Sequence, residues 1–179
     1  VVGTDVMSSI INFKDRSTCV LFGDGSGTVL LEPTTNDVGV LDFLLRSDGS
    51  GGQYLCMPAG GSRRPATHET VTEELHYVHQ DGRAVFRYAV KLMTDVCREI
   101  LERNGLSPKD VQLFVPHQAN LRIIDSSVDR LGLSPEQVLI NIDRYANTTA
   151  ATIPMGLAEA EAAGRLKSGD LVLLASFGA

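Results

Sequence analysis

Between Arg83 and Arg103 apolar side chains recur at Phe86, Ala89, Val90, Met93, Val96, Cys97, Ile100 and Leu101. Arg87, Lys91, Arg98, Glu99 and Glu102 fall largely on the other side. A single apolar stripe at three- and four-residue steps predicts an amphipathic helix over 83–103. Asn104-Gly105 ends it, because glycine accepts the left-handed backbone of a helix C-terminus. Beyond it the pattern predicts strands over 111–115, 138–142 and 171–175, with helices over 120–131 and 148–163. Short buried strands alternating with helices imply a parallel sheet covered by helices. The string Gly-Leu-Ser-Pro opens both 105–111 and 132–138, and each copy leads into a strand. In each copy a serine can cap a short helical turn beginning with proline, and Ser134 has capping-box spacing to Gln137. Duplication of one unit and convergence on one loop solution explain this equally well.

Before residue 83 the pattern changes. Residues 17–22, 27–31 and 38–45 are short apolar or β-branched runs that predict strands, the first two separated by a glycine turn at 23–27. Between 47 and 70, Gly49, Gly51, Gly52, Pro58, Gly60, Gly61 and Pro65 predict a long surface loop. The chain therefore divides into strands over 1–46, a loop region over 47–82 and βα repeats over 83–179. Val1-Val2-Gly3 reads as the end of a strand already under way, and the chain stops just after its last apolar run. A longer polypeptide is the expectation.

Composition narrows the function classes. A chain of 179 residues with 43% hydrophobic content supports one globular core. The net charge of -6 removes the field that gathers phosphate backbones, so nucleic acid is not an expected partner. Cys19, Cys56 and Cys97 form an odd set without metal-type spacing, which suits a reducing compartment. No apolar run approaches the ~18 residues of a membrane helix and no charged-then-apolar leader is seen, so a cytoplasmic protein away from the membrane is expected.

Reactive groups of open α/β sheets gather beyond the carboxyl ends of the strands. Two such junctions carry polar residues here, Pro116-His117-Gln118-Ala119-Asn120 and the stretch that opens with Asn147-Thr148-Thr149. If their strands are neighbours, His117 and Asn147 project into one crevice. A histidine there serves as a general base or as an electrophilic donor, and an amide donates to a developing oxyanion. A histidine bonded to backbone and an asparagine capping a helix would present the same residues. Gly23-Asp24-Gly25-Ser26-Gly27 lacks the Gly-Lys-Ser/Thr ending of a phosphate loop and reads as a tight turn. His76-x-x-His79 has no third ligand nearby, and no metal is expected.

Taken together, residues 115–124 (Val-Pro-His-Gln-Ala-Asn-Leu-Arg-Ile-Ile), 143–154 (Asp-Arg-Tyr-Ala-Asn-Thr-Thr-Ala-Ala-Thr-Ile-Pro) and 22–27 (Phe-Gly-Asp-Gly-Ser-Gly) resemble motifs of the ketoacyl-acyl-carrier-protein synthase III family. The stretches 2–5, 48–52, 58–63 and 173–178 resemble it too, in family order. The resemblance implies the C-terminal half of a thiolase-like α/β fold, a mixed sheet covered by helices within a five-layer α/β/α/β/α body. It also implies a decarboxylative Claisen condensation of an acyl-CoA primer with malonyl-acyl-carrier protein at the start of fatty-acid synthesis.

By the resemblance, His117 and Asn147 are catalytic and stabilise the enolate left by decarboxylation. Phe86 lines the substrate pocket. Gln118, Ala119, Asn120, Leu121 and Arg122, with Arg87 and Arg130, bind the acidic carrier protein. The acyl-accepting cysteine is expected upstream of this chain, and Cys19, Cys56 and Cys97 read as structural. No cofactor is implied, since coenzyme A and carrier thioesters enter as substrates. The expected partners are the acyl carrier protein, acyl-CoA, an N-terminal half and a second copy in a homodimer. Three positions depart from the family pattern: Ala146 stands where glycine is common, Arg83 where some members have asparagine, and Asp129 where some have lysine. A condensing enzyme of polyketide or quinolone pathways and a non-catalytic scaffold for carrier protein or coenzyme A are the alternatives.

Overall fold

A computed structural model describes residues 1–36 and 38–178. Its strands are β1 (Val2–Asp5), β2 (Gly25–Thr28), β3 (Leu55–Cys56), β4 (His79–Gln80), β5 (Leu113–Pro116) and β6 (Val172–Ala175). Its helices are α1 (His68–Thr72), α2 (Gly82–Arg103), α3 (Leu121–Leu131), α4 (Ile142–Tyr145) and α5 (Thr152–Ala162). Short 3₁₀ turns precede β5, α4 and α5. Among the described residues the strands pair as three two-stranded sheets, β1 with β2 and β3 with β4 antiparallel, β5 with β6 parallel.

The parallel pair is the centre of the molecule, and its side chains alternate between two cores as strand geometry requires. Phe114, Leu173 and Ala175 face α2 and α3 and pack with Val90, Met93, Cys97, Ile123, Ile124 and Leu131. Leu113 and Val115 face the other way, onto Leu139 and Ala160, with Ile153, Leu157 and Val172 closing around them. Helices therefore cover both faces, as the alternation of elements predicts. The long helix follows its periodicity closely: Asp81 caps its start, accepting from the N–H groups of Arg83 and Ala84. Gly105 follows its end at φ +66°. Both Gly-Leu-Ser-Pro strings build capped 3₁₀ turns, Ser107 with Asp110 and Ser134 with Gln137.

Three strand expectations are corrected. Residues 17–21 form successive turns, because the Asp15 carboxylate accepts from the Ser17 N–H and from the hydroxyls of Ser17 and Thr18, winding the chain on itself. Residues 38–45 are irregular: Val38, Val40, Leu41, Phe43 and Leu45 are exposed, and the segment is tied to α2 by polar groups instead. Arg103 grips the Asp42 carboxylate through two nitrogens, and Arg46 pairs with Glu99. Of residues 138–142, only Val138 bridges Phe114, and the chain then turns into α4.

The glycine segment is a strand as much as a turn. Gly25, Ser26, Gly27 and Thr28 pair with β1 in the register Gly3↔Gly27 and Asp5↔Gly25. This hairpin lies on the turn before α5 and on α5 itself, so the first segment and the last belong to one packed body. The loop region 47–82 holds β3, β4 and α1, the last started by a reciprocal Thr67–Thr70 capping box. No helix among the described residues is long and apolar enough to cross a membrane.

Candidate active site

Pairing of β5 with β6 delivers His117 to the carboxyl end of the parallel sheet, where its backbone N–H donates to the Ala175 carbonyl at 2.7 Å. The side chain is buried, with 7% of its surface exposed, and burial holds its pKa down at about 4. Among the described residues nothing hydrogen-bonds the imidazole ring, so desolvation acts alone. The ring is neutral at neutral pH and retains one N–H donor and one lone pair.

Asn147 comes to the same end of the molecule from a different direction. After α4 the chain returns toward the hairpin: the Asn147 N–H donates to Leu21 O at 3.0 Å, and its carbonyl accepts from the Gly23 N–H at 2.9 Å. Its side-chain oxygen accepts from the Thr149 N–H at 2.9 Å, which fixes the amide's direction. That bond closes a local Asx-type turn, while the caps of the helical turn 149–151 and of α5 are Thr148 and Ala151. The bond occupies only the oxygen, and the amide N–H₂ makes no hydrogen bond among the described residues. The residue is 8% exposed.

Backbone strain surrounds the asparagine. Ala146 adopts φ +58° and ψ −157°, a region nearly reserved for glycine, and Thr149 adopts φ +48°. Both are held by their neighbours: the Ala146 N–H donates to Ile142 O at 2.9 Å, and the Asp5 carboxylate accepts from the Thr149 hydroxyl and, at 2.9 Å, from the Ala150 N–H. The alanine at position 146, a departure noted from the sequence, thus bears a real conformational cost. Relief of about 2 kcal/mol of strain exceeds the roughly 1 kcal/mol of unfolded-chain freedom that glycine adds, so Ala146→Gly is expected to stabilise by about 1 kcal/mol. Denaturant unfolding should show a higher midpoint at unchanged slope, and a lower midpoint would contradict this account.

The two junctions are brought together by Gln118. Its amide donates to Pro116 O at 3.0 Å and Leu139 O at 3.1 Å, and accepts from the N–H groups of Asn141 and Ile142 at 3.0 and 3.1 Å. A cleft of about 310 Å³ opens over them, lined by Leu21, Ala119, Asn120, Leu121, Arg122 and Ala146 among others. His117 and Asn147 lie within two residues of this lining on either side. Glu159 of α5 also holds α4, accepting from Asn141, Arg144 and Tyr145.

The other predicted residues fall in different places. Gln118 is fully buried with its hydrogen-bonding groups engaged inside the protein, so its side chain cannot touch a docked carrier; that expectation is corrected. Asn120 caps α3 by accepting from the Arg122 N–H. Leu121 and Arg122 are exposed at the cleft, and Arg87 and Arg130 are exposed on α2 and α3. Phe86 is half-buried and packs against the main core, the ordinary role its place on the helix stripe allows. Of the cysteines, Cys97 is buried and its thiol pushed up to about 12 by burial, while Cys19 and Cys56 are half-buried and free. His76 bonds Thr70 through Nε2 at 2.9 Å, and His79 lies exposed in β4. Asp5 and Glu159 were not singled out from the sequence. Their partners lie as far as 145 residues away, which no local pattern reveals.

Comparison with known proteins agrees with the motifs. The family model described as "3-Oxoacyl-[acyl-carrier-protein (ACP)] synthase III C terminal" matches residues 101–179, and its companion for 3-oxoacyl-[acyl-carrier-protein (ACP)] synthase III matches residues 1–49. The chain is 58% identical over 182 residues to a beta-ketoacyl-[acyl-carrier-protein] synthase III of Solibacter usitatus, covering 100% of this chain and 55% of that one. To the protein of the same description in Koribacter versatilis it is 54% identical over 181 residues, covering 100% and 54%. The crystal structure of a Thermus thermophilus beta-ketoacyl-[acyl-carrier-protein] synthase III superposes with a TM-score of 0.88 at 43% identity, over 100% of this chain and 55% of that one. The chain spans about half the length of the curated relatives it matches.

Proposed function

The chain belongs to the 3-oxoacyl-acyl-carrier-protein synthase III family, with a thiolase-like α/β fold, and on that premise we propose that it supplies the malonyl-activating part of a condensing site. In the proposed reaction a malonyl-carrier thioester loses carbon dioxide. The electron pair of the broken bond passes to the α-carbon and is shared with the thioester oxygen as an enolate. The α-carbon then attacks the acyl thioester derived from an acyl-CoA primer, a carbon–carbon bond forms, and thiolate departs. The product is a 3-oxoacyl-carrier thioester, the first condensation of fatty-acid synthesis.

The observation that supports this reading is a buried neutral imidazole and an amide whose donor side is unspent, each within two residues of the lining of one cleft. Enolate charge is stabilised by donors that are already oriented, and neutral ones can hold it without giving up a proton. His117 would donate from a ring nitrogen and Asn147 from its amide, without either being consumed. None of Cys19, Cys56 and Cys97 is assigned the acyl-accepting role, and Cys97 is protonated throughout the working range.

For the carrier, we assign Arg122 and Leu121 to the docking surface, since both are exposed where the cleft opens. Arg87 and Arg130 offer further positive charge to an acidic partner. Leu30 and Leu45 are 81% and 84% exposed, and Leu31, Val38, Val40, Leu41 and Phe43 are exposed with them, more apolar surface than a free exterior carries; we place there the rest of the condensing body and its dimer mate. A cytoplasmic homodimer accords with this.

The test is carbon dioxide release from a malonyl-carrier thioester by a polypeptide spanning the relatives' full length. Asn147→Ala is expected to slow release about a hundredfold, the usual loss for one oxyanion donor. An unchanged rate would replace the catalytic reading with that of a binding scaffold. Primer profiling with the same polypeptide separates a fatty-acid role from a polyketide or quinolone one.

A further inference from the structure

Residue 118 immediately follows the proposed catalytic histidine, and its side chain spans the gap to the segment that leads to the proposed catalytic asparagine. After the Phe114–Val138 bridge, where the Leu139 N–H donates to Phe114 O at 2.9 Å, the ladder between β5 and residues 138–142 stops. The next groups along, Leu139 O, Asn141 N–H and Ile142 N–H, would face the sheet unpaired. A buried, unpaired backbone group costs about as much as a lost hydrogen bond. The primary amide of Gln118 meets all three and also satisfies Pro116 O. A side-chain amide has two donors and one carbonyl acceptor, so it can stand in for the missing peptide rung.

We propose that Gln118 is a positioning residue for decarboxylation, holding His117 in register with α4 and so with the Asn147 loop. The proposal rests on the catalytic reading of His117 and Asn147 and adds to it the device that sets their separation. The geometry has two ends. On one side Pro116 and Gln118 bracket His117, so the amide fixes the backbone on which the imidazole stands. On the other it grips the first N–H groups of α4, and Tyr145, the last residue of α4, is two residues from Asn147. Glu159 holds α4 through side chains, those of Asn141, Arg144 and Tyr145, whereas Gln118 holds its leading backbone N–H groups. With 0% of its surface exposed, the residue exchanges none of these bonds with water.

The experiment uses Gln118→Met and Gln118→Glu in the full-length polypeptide, with kcat and KM for carbon dioxide release measured per folded molecule. Gln118→Met keeps the volume and removes all four bonds. It is expected to lower kcat about a hundredfold, the scale of an ångström-sized misplacement, with KM unchanged. Gln118→Glu keeps the acceptor toward Asn141 and Ile142, but as a carboxylate it repels the two carbonyls. When protonated it recovers one donor, so its kcat should rise as pH is lowered from about 8 to about 6, while the Met variant's stays flat.

Lowered stability with wild-type kcat in both variants would overturn the proposal and leave Gln118 a purely structural residue. Should Gln118→Met not fold, the pH response of Gln118→Glu decides alone: a flat, wild-type kcat overturns the proposal. If His117→Ala and Asn147→Ala themselves keep the wild-type rate, it is the catalytic reading that fails. Positioning is then judged by the His117 ring nitrogen resonances, and their constancy in Gln118→Met would overturn it.

Discussion

Replacing His117 with alanine is expected to slow carbon dioxide release from a malonyl-carrier thioester about a thousandfold, the upper range for a single preorganised donor. The reason is the environment more than the residue type. Burial without a hydrogen-bonded partner holds the imidazole pKa at about 4, so at neutral pH nearly every molecule offers a neutral N–H. The wild-type rate should therefore be insensitive to His117 titration from neutral pH down to about 5 and fall as pH approaches about 4. A histidine with an ordinary pKa of about 6.5 would lose the neutral form about 2.5 pH units earlier. An acid limb at pH 6–7 that disappears in His117→Gln would mean the ring is not desolvated as described.

The same burial makes a stability prediction with a definite sign. The unfolded chain takes up the proton near pH 6.5 and the folded chain only near 4, so the unfolded state binds more protons between them. The contribution is fully present above about 6.5 and is lost progressively as pH falls toward 4. Its size is about 3 kcal/mol at most. Denaturant titrations across this window should show His117→Gln losing less stability on acidification than the wild type.

How much of this was legible depends on how local each cause is. The helices over 82–103, 121–131 and 152–162 follow from periodicity and caps that lie within a few residues of one another, and β5 and β6 from their short apolar runs. The placement of His117 follows from strand-to-helix order, since it directly follows β5, whereas Asn147 follows the helix α4 and not a strand. What failed has remote causes in part. The strand expected over 138–142 ends after one bridge, and the group that meets Leu139 O beyond it is a side chain 21 residues away. The apolar run over 38–45 describes a surface made for burial, and the described residues supply no sheet for it. The run at 17–22 was outvoted by Asp15, whose Asx-type bonds to Ser17 and Thr18 were visible in the sequence and outweigh β-branching there. Glycines at 23, 25 and 27 say "turn" by composition. Their two-residue spacing, read with Gly3, says instead that one face of a strand pair meets another backbone at close range.

That close range sets the largest stability effect expected of a single methyl group. A Cβ built on Gly3 would overlap the carbonyl oxygen of Ala150 and stand 2.8 Å from its carbon, and one on Gly27 would stand 2.8 Å from Pro154 and 2.9 Å from the Met155 nitrogen. The obstacle is backbone, and it is anchored: Ala151 is fully buried, its N–H donates to Thr148 O at 3.0 Å, and Asp5 grips Thr149 and Ala150. For Gly3→Ala, β1 must then lift away from the turn and take the Asp5 carboxylate with it. Overpacking of about 2 kcal/mol adds to about 2 kcal/mol for the charge-assisted bonds, so a loss of about 4 kcal/mol is expected. In a chain of this size that lowers Tm by about 10 °C. Thr4→Ala is the control, since Thr4 is exposed beside Gly3 and its side chain bonds only that of Ser26 among the described residues, and it should stay within about 0.5 kcal/mol of the wild type. The turn that would be displaced starts two residues after Asn147, so Gly3→Ala should also lower carbon dioxide release per folded molecule, while Thr4→Ala should not. A Gly3→Ala protein melting within about 2 °C of the wild type would show that the hairpin has room to slide, and the strained Asn147 loop would then need another anchor.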